Sequence, residues 1–373
     1  MAFLSIFKYG ISKNLLWLVI IAIGFSFLYA LVIPILIRGT IESAIVDWLP
    51  LIGLMFAPII ASLEHRHKIW SRLRGWVQVL CLFLAIIHIV IWWFGIYSPN
   101  LVEFFKVFMN TYLRSQAEGD IDNIIMAETP DGGFRILYPS SLLLIIGLYF
   151  SMGELVSSSK KWKAIVKLLI FWLALYTTWT RAFYILPIIT MIFYAVYSFV
   201  LNKNSRYQSI YFSYLLIIIF LLIFQIFIVM SSEILNILGL ASAESDTARI
   251  EQIYSITSVI LDNPILGIGL GGNADLIRSV AAPWTYEMAF YALFMKVGMV
   301  GVLLIFLMLW FGLKASNISI SLRSNPKLAK NWLAFSTATM FIFGTNPFLF
   351  SLAGVGVALI IFMDIAWISE IKK

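Results

Sequence analysis

The chain has little charge for its length and almost no cysteine or histidine. Charged residues make up 12% of its 373 positions, and Cys81 is its only cysteine. A single cysteine excludes a set of disulfides within the chain. The three histidines show no spacing with cysteine or carboxylates that is typical of a metal site, so the sequence predicts neither a bound metal nor another cofactor. So little charge also excludes an ordinary soluble globular domain.

Long apolar stretches take the place of charge. Hydrophobic residues make up 61% of the chain, and the mean hydropathy is +0.95. Stretches of about 20 residues, enough to cross a bilayer as a helix, recur from end to end. We predict an all-α polytopic membrane protein, residues 1–373 forming a single integral membrane domain of about 10 to 12 transmembrane helices. The first stretch is predicted to be retained, because no cleavage site for a signal peptidase follows it. The predicted spans are roughly 14–37, 48–63, 76–96, 138–156, 164–180, 182–200, 209–230, 285–313, 331–346 and 350–368.

The distribution of charge predicts how these spans are oriented. Most of the basic residues fall in short loops that share one side of the membrane, and most of the acidic residues fall on the other side. Because positively charged loops stay in the cytoplasm, both termini are predicted to be cytoplasmic. The net charge of +7 is spread over many loops, which argues against nucleic-acid binding.

Two longer segments are predicted on the outer side. The first, 97–137, begins with a pattern typical of an amphipathic helix lying in the membrane interface. The second, 231–284, carries most of the polar residues that suggest chemistry. Because the inner loops are short, we expect the function to reside in the membrane and at its outer face. The apolar side of the first pattern comprises Phe104, Phe105, Phe108 and Tyr112.

The outer segment 231–284 is predicted to contain a helix over about 245–261. The apolar residues there recur with the period of an amphipathic helix. Arg249 lies on this helix, and two interpretations of it stay open. It either forms a surface salt bridge with Asp246 or Glu251, or it binds an anionic substrate.

A glycine-rich turn follows this predicted helix. Asp262, Asn263 and Pro264 are typical of a helix end followed by a tight turn. The segment 267–272 formally satisfies G-x-G-x-x-G, but a dinucleotide site also needs a preceding strand and a βαβ unit, which an outer loop between membrane helices does not supply. The glycines therefore predict a close approach of backbone N–H groups to a substrate, or simply close packing of the loop.

Arg181 is a single arginine between two apolar stretches, at the outer end of both. A guanidinium at that level needs an anion or a path to water. The residue is therefore either an interfacial anchor or part of a phosphate clamp, since the planar fork of arginine matches phosphate oxygens.

Glu287 lies at the outer end of the predicted span 285–313, in which it is the only carboxylate. It is either a first-turn carboxylate favoured by the helix dipole or a general base that removes a proton from an attacking hydroxyl. Lys296 lies deeper in the same span. An ammonium at that depth needs a carboxylate, a carbonyl or a cavity.

The loop and the helix after it resemble the shared C-terminal region of the O-antigen ligases and polymerases. That family has a proline, a leucine and glycines in an outer loop, then His-Asn at the start of the next helix, and Glu-x-Gly-x-x-Gly further along it. The resemblance covers about 240–312, and Thr180–Ala182 is similar to an earlier Ser-Arg-Gly segment of the family. The matching residues are Pro264, Leu266, Gly267 and Gly269 in the loop and Gly298 and Gly301 in the helix.

Two positions depart from the family pattern. Glu287 stands where the family has its histidine, and Lys296 stands where it has its glutamate. The ligases of the family use that histidine, whereas its polymerases are more diverse. A carboxylate at this position therefore favours a polysaccharide polymerase over a ligase.

What the resemblance implies is an inverting glycosyltransferase with a GT-C type fold in the bacterial inner membrane, with its active face in the periplasm. Its donor would be an oligosaccharide linked to undecaprenyl pyrophosphate, and its acceptor a sugar hydroxyl of another lipid-linked O-antigen or capsule repeat. Its partners would be membrane lipid and a protein that regulates chain length. Glu287 would be the general base, while Arg181 and Arg249 would bind the pyrophosphate. The substrate loop would comprise Pro264, Gly267, Gly269, Gly271 and Gly272.

Two other functions stay open at this point. An O-antigen ligase would transfer the glycan to lipid A–core instead. A flippase or other transporter of lipid-linked oligosaccharide would place charges near the middle of the membrane and show internal repeats. Here the acidic charges gather in the outer loops, and Lys296 and Asp364 are the deep exceptions.

Overall fold

Almost all described residues of the protein lie in α-helices in a computed structural model. This agrees with the coarse fold prediction, because a segment inside a bilayer must pair its backbone N–H and C=O groups within itself or with its protein neighbours. The described residues are 13–39, 41–61, 66–98, 100, 102–104, 107, 126–128, 132–136, 141–159, 161–201, 243–277, 283–315, 318–343 and 352–368.

The helices follow one another along the chain with short connections where both flanking elements are described. A π-helical turn at Leu28–Val32 joins the first two of them into one rod, and two short strands lie between the fourth and the fifth. The elements are α1 (Lys13–Phe27), α2 (Ile33–Arg38), α3 (Glu42–Ala61), α4 (Arg66–Tyr97), β1 (Met126–Glu128), β2 (Phe134–Ile136), α5 (Leu142–Ser157), α6 (Lys161–Thr177), α7 (Arg181–Val200), α8 (Ala243–Asp262), α9 (Ala289–Ala315), α10 (Ile318–Ser324), α11 (Pro326–Phe343) and α12 (Leu352–Ile368).

Within the described part of the chain, three apolar helices are long enough to cross a membrane: Lys13–Arg38, Trp70–Tyr97 and Ala289–Ala315. The first has 26 residues and is therefore about 39 Å long. Their outward surfaces carry large apolar side chains, including Leu36 and Trp76, which are 77% and 74% exposed. Apolar exposure on this scale is unfavourable in water and favourable in lipid, so the chain is a membrane-embedded protein.

The predicted spans agree with this set of helices as far as the structure describes them. Three of the spans coincide with the long helices, and three others with shorter apolar helices. The spans predicted at 48–63, 164–180 and 331–346 fall on α3, α6 and α11. The span 209–230 lies outside the described residues, so the total of about ten stays a prediction. The shorter apolar helices are Leu142–Ser157, Ile185–Phe199 and Gly354–Ile368.

A small β-hairpin in the first outer segment was not predicted from the sequence. Strands β1 and β2 are antiparallel, with Ala127 opposite Arg135. Phe134 and Ile136 are buried against apolar residues of α4, and Phe134 packs where Gly95 has no side chain. The all-α prediction was therefore incomplete in this segment. Of the four residues of the predicted interfacial face, only Phe104 is described, and it is 71% exposed.

The two largest apolar cores among the described residues lie between the helices. The larger core surrounds α5, whose residues 144–150 are all buried against α4, α6, α11 and α12. The second core joins α1, α3 and α9, and Leu270 from the glycine-rich turn belongs to it. Because part of that turn is itself core, its position is set by packing and not by solvent.

An ion pair between a largely buried arginine and a buried aspartate joins α12 to α4. The Arg74 Nε donates to Asp364 Oδ1 at 2.8 Å, and the Tyr149 hydroxyl donates to Asp364 Oδ2 at 2.7 Å. The Arg74 guanidinium also lies 4.6 Å from the centre of the Phe150 ring, a favourable cation–π distance. The deep charge of Asp364 is therefore neutralised inside the protein.

Candidate functional site

Helix α8 confirms the helix predicted over 245–261. It runs from Ala243 to Asp262, with Ile253 and Ile256 buried and Leu261 exposed. The helix ends because Pro264 has no N–H to continue the ladder. The Asn263 N–H still bonds to carbonyls of the last turn, at 3.1 and 3.2 Å.

The guanidinium of Arg249 forms an ion pair with Glu287. Its Nε lies 2.8 Å from Glu287 Oε2, and the two side chains are 27% and 20% exposed. The salt-bridge interpretation of Arg249 is therefore right in kind, and the structure shows a partner that the sequence did not suggest. That partner is the carboxylate that the sequence marks as the candidate base, 38 positions away.

A second residue of α8 fixes the backbone of Glu287. The Glu287 N–H donates to the side-chain oxygen of Gln252 at 3.0 Å, and Gln252 is 3% exposed. Arg249 and Gln252 are three positions apart and so lie on one face of α8. Residues on that face bond to both the side-chain carboxylate and the backbone N–H of Glu287, so α8 determines the position of the carboxylate.

Helix α9 is broken at Gly298, which has φ 58° and ψ −168°. A continuous helix would pair the Met295 and Lys296 carbonyls with the amides four residues later. Here the Met295 carbonyl accepts the Ile268 N–H at 3.1 Å, and the Lys296 carbonyl accepts the Gly269 N–H at 2.8 Å. The glycine-rich turn therefore supplies the donors that the break removes.

The amides on the other side of the break are paired by the same turn. The Met299 N–H donates to the Pro264 carbonyl at 3.0 Å, and the Val300 N–H donates to the Ile265 carbonyl at 3.1 Å. The break lies nine residues into α9, about 14 Å along the helix. Irregular backbone is tolerated at membrane depth where it is buried in protein, and the segment 267–272 is buried throughout.

The far side of this turn bonds to the first membrane helix. The Leu270 N–H donates to the Tyr29 carbonyl at 3.1 Å, inside the π-helical turn. In that turn the Ile33 N–H bonds to the Leu28 carbonyl, and the next residue, Pro34, has no N–H to offer Tyr29. The Tyr29 carbonyl is therefore left available for the loop. The Arg38 guanidinium completes the attachment by donating to the Leu270 carbonyl.

Three of the glycines adopt a backbone conformation that other residues rarely reach. Gly267, Gly269 and Gly271 have φ of 67°, 82° and 71°. A Cβ on Gly271 would lie 2.5 Å from the Ala44 amide nitrogen, and a Cβ on Gly267 would overlap the Lys296 carbonyl. Of the two interpretations of these glycines, the described contacts favour close packing of the loop against α3 and α9.

Lys296 meets the need expected for a deep ammonium through Asp47 on α3. The Lys296 Nζ lies 2.7 Å from Asp47 Oδ2, and the two side chains are 8% and 11% exposed. Asp47 was missed by the sequence analysis, as were Gln252 and Arg38. Asp47 could have been singled out, because it is a carboxylate at the end of an apolar stretch, like Glu287.

Arg181 begins α7, after a sharp turn in which Trp179 has φ 52°. Its side chain lies outside the described residues. The expectation that Arg181 and Arg249 bind the same pyrophosphate therefore stays a prediction.

The Arg249–Glu287 pair combines the two elements of an acid–base site for an anionic leaving group. The carboxylate is an acceptor for a proton, and the guanidinium is a donor to phosphate oxygens. Both are partly exposed: Arg249 lies in the first half of α8, and Glu287 lies two residues before α9, which packs against α8. Among the described residues, no group of three or more His, Cys, Asp or Glu side chains is placed to hold a metal ion.

Comparisons with known proteins do not identify the chain. No protein-family model matches it, and no curated protein or solved structure matches it either. The function considered below therefore depends on the motif within 240–312 and on the geometry around Arg249, Glu287 and the glycine-rich turn.

Replacing Tyr286 by phenylalanine is expected to destabilise the site without changing its charges. The Tyr286 hydroxyl accepts the Ala274 N–H at 2.7 Å, and the two residues are 1% and 2% exposed. An unpaired buried amide costs about 1–3 kcal/mol. Thermal unfolding of the detergent-purified protein should therefore start at a lower temperature, whereas Tyr254→Phe, at a side chain 64% exposed, should unfold like the wild type. Equal unfolding temperatures for both variants would contradict this role of the hydroxyl.

Proposed function

We propose that this protein is a polysaccharide polymerase of the O-antigen or capsule type. It would transfer glycan from undecaprenyl pyrophosphate to a sugar hydroxyl of another lipid-linked repeat, at the periplasmic face of the inner membrane. The observation that carries the proposal is the contact between Arg249 and Glu287, 2.8 Å apart at the rim of a membrane helix. It joins an anion-binding group to a candidate base within the segment that resembles the polymerases and ligases.

The proposed reaction is a single displacement with inversion at the anomeric carbon. The acceptor oxygen forms a bond to that carbon while the bond from the carbon to the pyrophosphate oxygen breaks. Glu287 takes the proton of the acceptor hydroxyl, and the bonding electron pair leaves with the pyrophosphate. Arg249 would stabilise the negative charge that grows on the leaving group, and Arg181 is proposed to do the same from α7.

The two deep charges support an enzyme over a transporter. A transport path requires charged groups that meet the substrate near the middle of the membrane. Lys296 is paired with Asp47, and Asp364 is paired with Arg74 and Tyr149. Both deep charges thus have partners inside the protein, as expected of groups that hold helices together.

Deleting the gene in its bacterium tests the proposal and separates it from its alternatives. A polymerase defect leaves lipid A–core capped with one repeat and a single lipid-linked repeat on the periplasmic side. Bare core with polymer still on the carrier lipid would indicate a ligase. A single repeat that accumulates on the cytoplasmic side would indicate a flippase. Either of the last two results would contradict the proposed function.

Substituting Arg249 by lysine is expected to remove most polymerase activity while the protein still inserts. Lysine keeps the positive charge but cannot reproduce the planar fork of the guanidinium. Because one lost donor to a developing anion typically costs about 10²–10³ in rate, we expect a loss of at least about tenfold. The length and amount of surface polysaccharide in a complemented deletion strain measure this. Arg323→Lys on α10 is the matched control, and equal polymer from both variants would argue against a clamp role for Arg249.

A further inference from the structure

One carboxylate oxygen connects three separate segments beside the candidate site. Asp47 Oδ2 accepts the Lys296 ammonium at 2.7 Å and the Gly271 N–H at 2.8 Å. Asp47 belongs to α3, Lys296 to α9 and Gly271 to the glycine-rich turn. Because both charged side chains are nearly buried, water competes little for these contacts.

Lys296 is held through its side chain and through its backbone. Its ammonium bonds to Asp47, and its carbonyl accepts the Gly269 N–H at 2.8 Å. It lies two positions before the break at Gly298. The part of α9 before this break, Ala289–Val297, is called the outer half here, and Lys296 is its charged residue. Since the helical hydrogen bonds are replaced by the turn at the break, the position of this outer half depends on the turn and on Asp47.

Glu287 lies two residues before the outer half of α9 and is connected to its first residue. The Ala289 N–H bonds to the Glu287 carbonyl at 2.9 Å, and the first turn of the helix continues from there. A shift or rotation of this half relative to α8 would change the distance from Glu287 to Arg249. A base misplaced by about 1 Å can lose about 10²-fold in rate.

We infer that Asp47 and Lys296 are positioning residues for Glu287. Their ion pair, together with the Gly271 amide, keeps the glycine-rich turn hydrogen-bonded in the break of α9, an arrangement called the seating of the turn below. It thereby fixes the position of the outer half of that helix. The inference rests on the proposed function only for the role of Glu287 as the base. The seating of the turn is a separate consequence, which is measurable without any activity.

The activity test compares three variants of the purified full-length protein. Asp47→Asn keeps an oxygen for the Gly271 amide but removes the carboxylate that pairs with Lys296, and Lys296→Met removes the ammonium from Asp47, which then keeps, among the described residues, only the Arg38 charge nearby. Breaking one side of a buried ion pair is more harmful than replacing both sides. We therefore expect each single variant to lose at least about tenfold in kcat with little change in KM, and the double variant to recover to within about threefold of the wild type.

The assay uses lipid-linked repeat isolated from the deletion strain as the substrate. The amount of folded protein is measured by size-exclusion chromatography, and kcat is calculated per folded molecule. A pair that served only global stability would lower the folded fraction and leave kcat per folded protein unchanged. Asp364→Asn is the matched control, because it breaks the other buried ion pair, with Arg74. It should lower the folded fraction without lowering kcat. Single variants with wild-type kcat, or a double variant no better than either single one, would overturn the positioning role.

A second measurement follows the seating of the turn by cysteine labelling. Ala274 is 2% exposed, close after the turn, and the native Cys81 is buried. A cysteine introduced by Ala274→Cys should react slowly with a maleimide in membranes of the wild-type background and of the double variant, and at least about tenfold faster in either single variant. Equal labelling in all four backgrounds would overturn the inference. If labelling behaves as expected but the wild type transfers no glycan, the proposed function fails and the seating of the turn stands.

Discussion

Replacing Glu287 by glutamine is expected to leave single repeats in place of a polymer ladder. In the wild type, the Arg249 Nε lies 2.8 Å from the Glu287 carboxylate. Glutamine keeps the shape of the side chain and an oxygen for this contact, but it cannot take a proton from the acceptor hydroxyl. Loss of a general base typically costs about 10²–10⁴ in rate. Gel analysis of surface polysaccharide from a complemented deletion strain should show core capped with one repeat, at wild-type levels of inserted protein.

Glu251→Gln provides the matched control for this experiment. Glu251 is an exposed carboxylate on α8, two residues from Arg249, and its substitution removes one negative charge from the same helix that carries Arg249. It should leave the polymer ladder intact. A full ladder from Glu287→Gln would exclude Glu287 as the base, and loss of the ladder from both variants would show only a general need for negative charge.

Replacing Gly298 by alanine is expected to destabilise the protein strongly, although it adds only one methyl group. The φ and ψ of Gly298, 58° and −168°, lie in a region that essentially only glycine occupies, at a cost of about 1–3 kcal/mol for other residues. The added Cβ would also lie 2.5 Å from the Ile265 carbonyl oxygen and 2.6 Å from the Gly267 nitrogen. We expect a loss of at least about 2 kcal/mol, since the strain and the overlap act together.

The measurement is the yield and thermal unfolding of the detergent-purified protein as a fluorescent fusion. Gly24→Ala, in α1, is the matched control, because a Cβ there meets no atom within 4 Å. In a helix interior that change should be neutral or stabilising by about 0.5–1 kcal/mol. If Gly298→Ala unfolded like Gly24→Ala, the break in α9 would not depend on the glycine, and the turn would have no fixed seat in it.

Several features were determined by the sequence alone because they depend on local chemistry. The apolar stretches predicted the membrane helices wherever these are described, since length and hydropathy decide whether a segment crosses a bilayer. The period of apolar residues predicted α8, and Pro264 predicted its end. Arg249 and Glu287 stood out in the sequence because each is a charged residue beside an apolar stretch, and a charge at that level requires a partner.

The tertiary structure alone decided which of these groups meet. Arg249 had acidic neighbours on its own helix, but only the packing of α8 against α9 brings Glu287 to it from 38 positions away. The glycines suggested a substrate loop, but they are buried in the break of α9, where their amides and the nearby carbonyls replace lost helical bonds. Asp47 acquired its importance only when folding brought α3 beside Lys296. Contacts between residues far apart in sequence depend on how whole helices pack, which local patterns of apolar and charged residues do not specify.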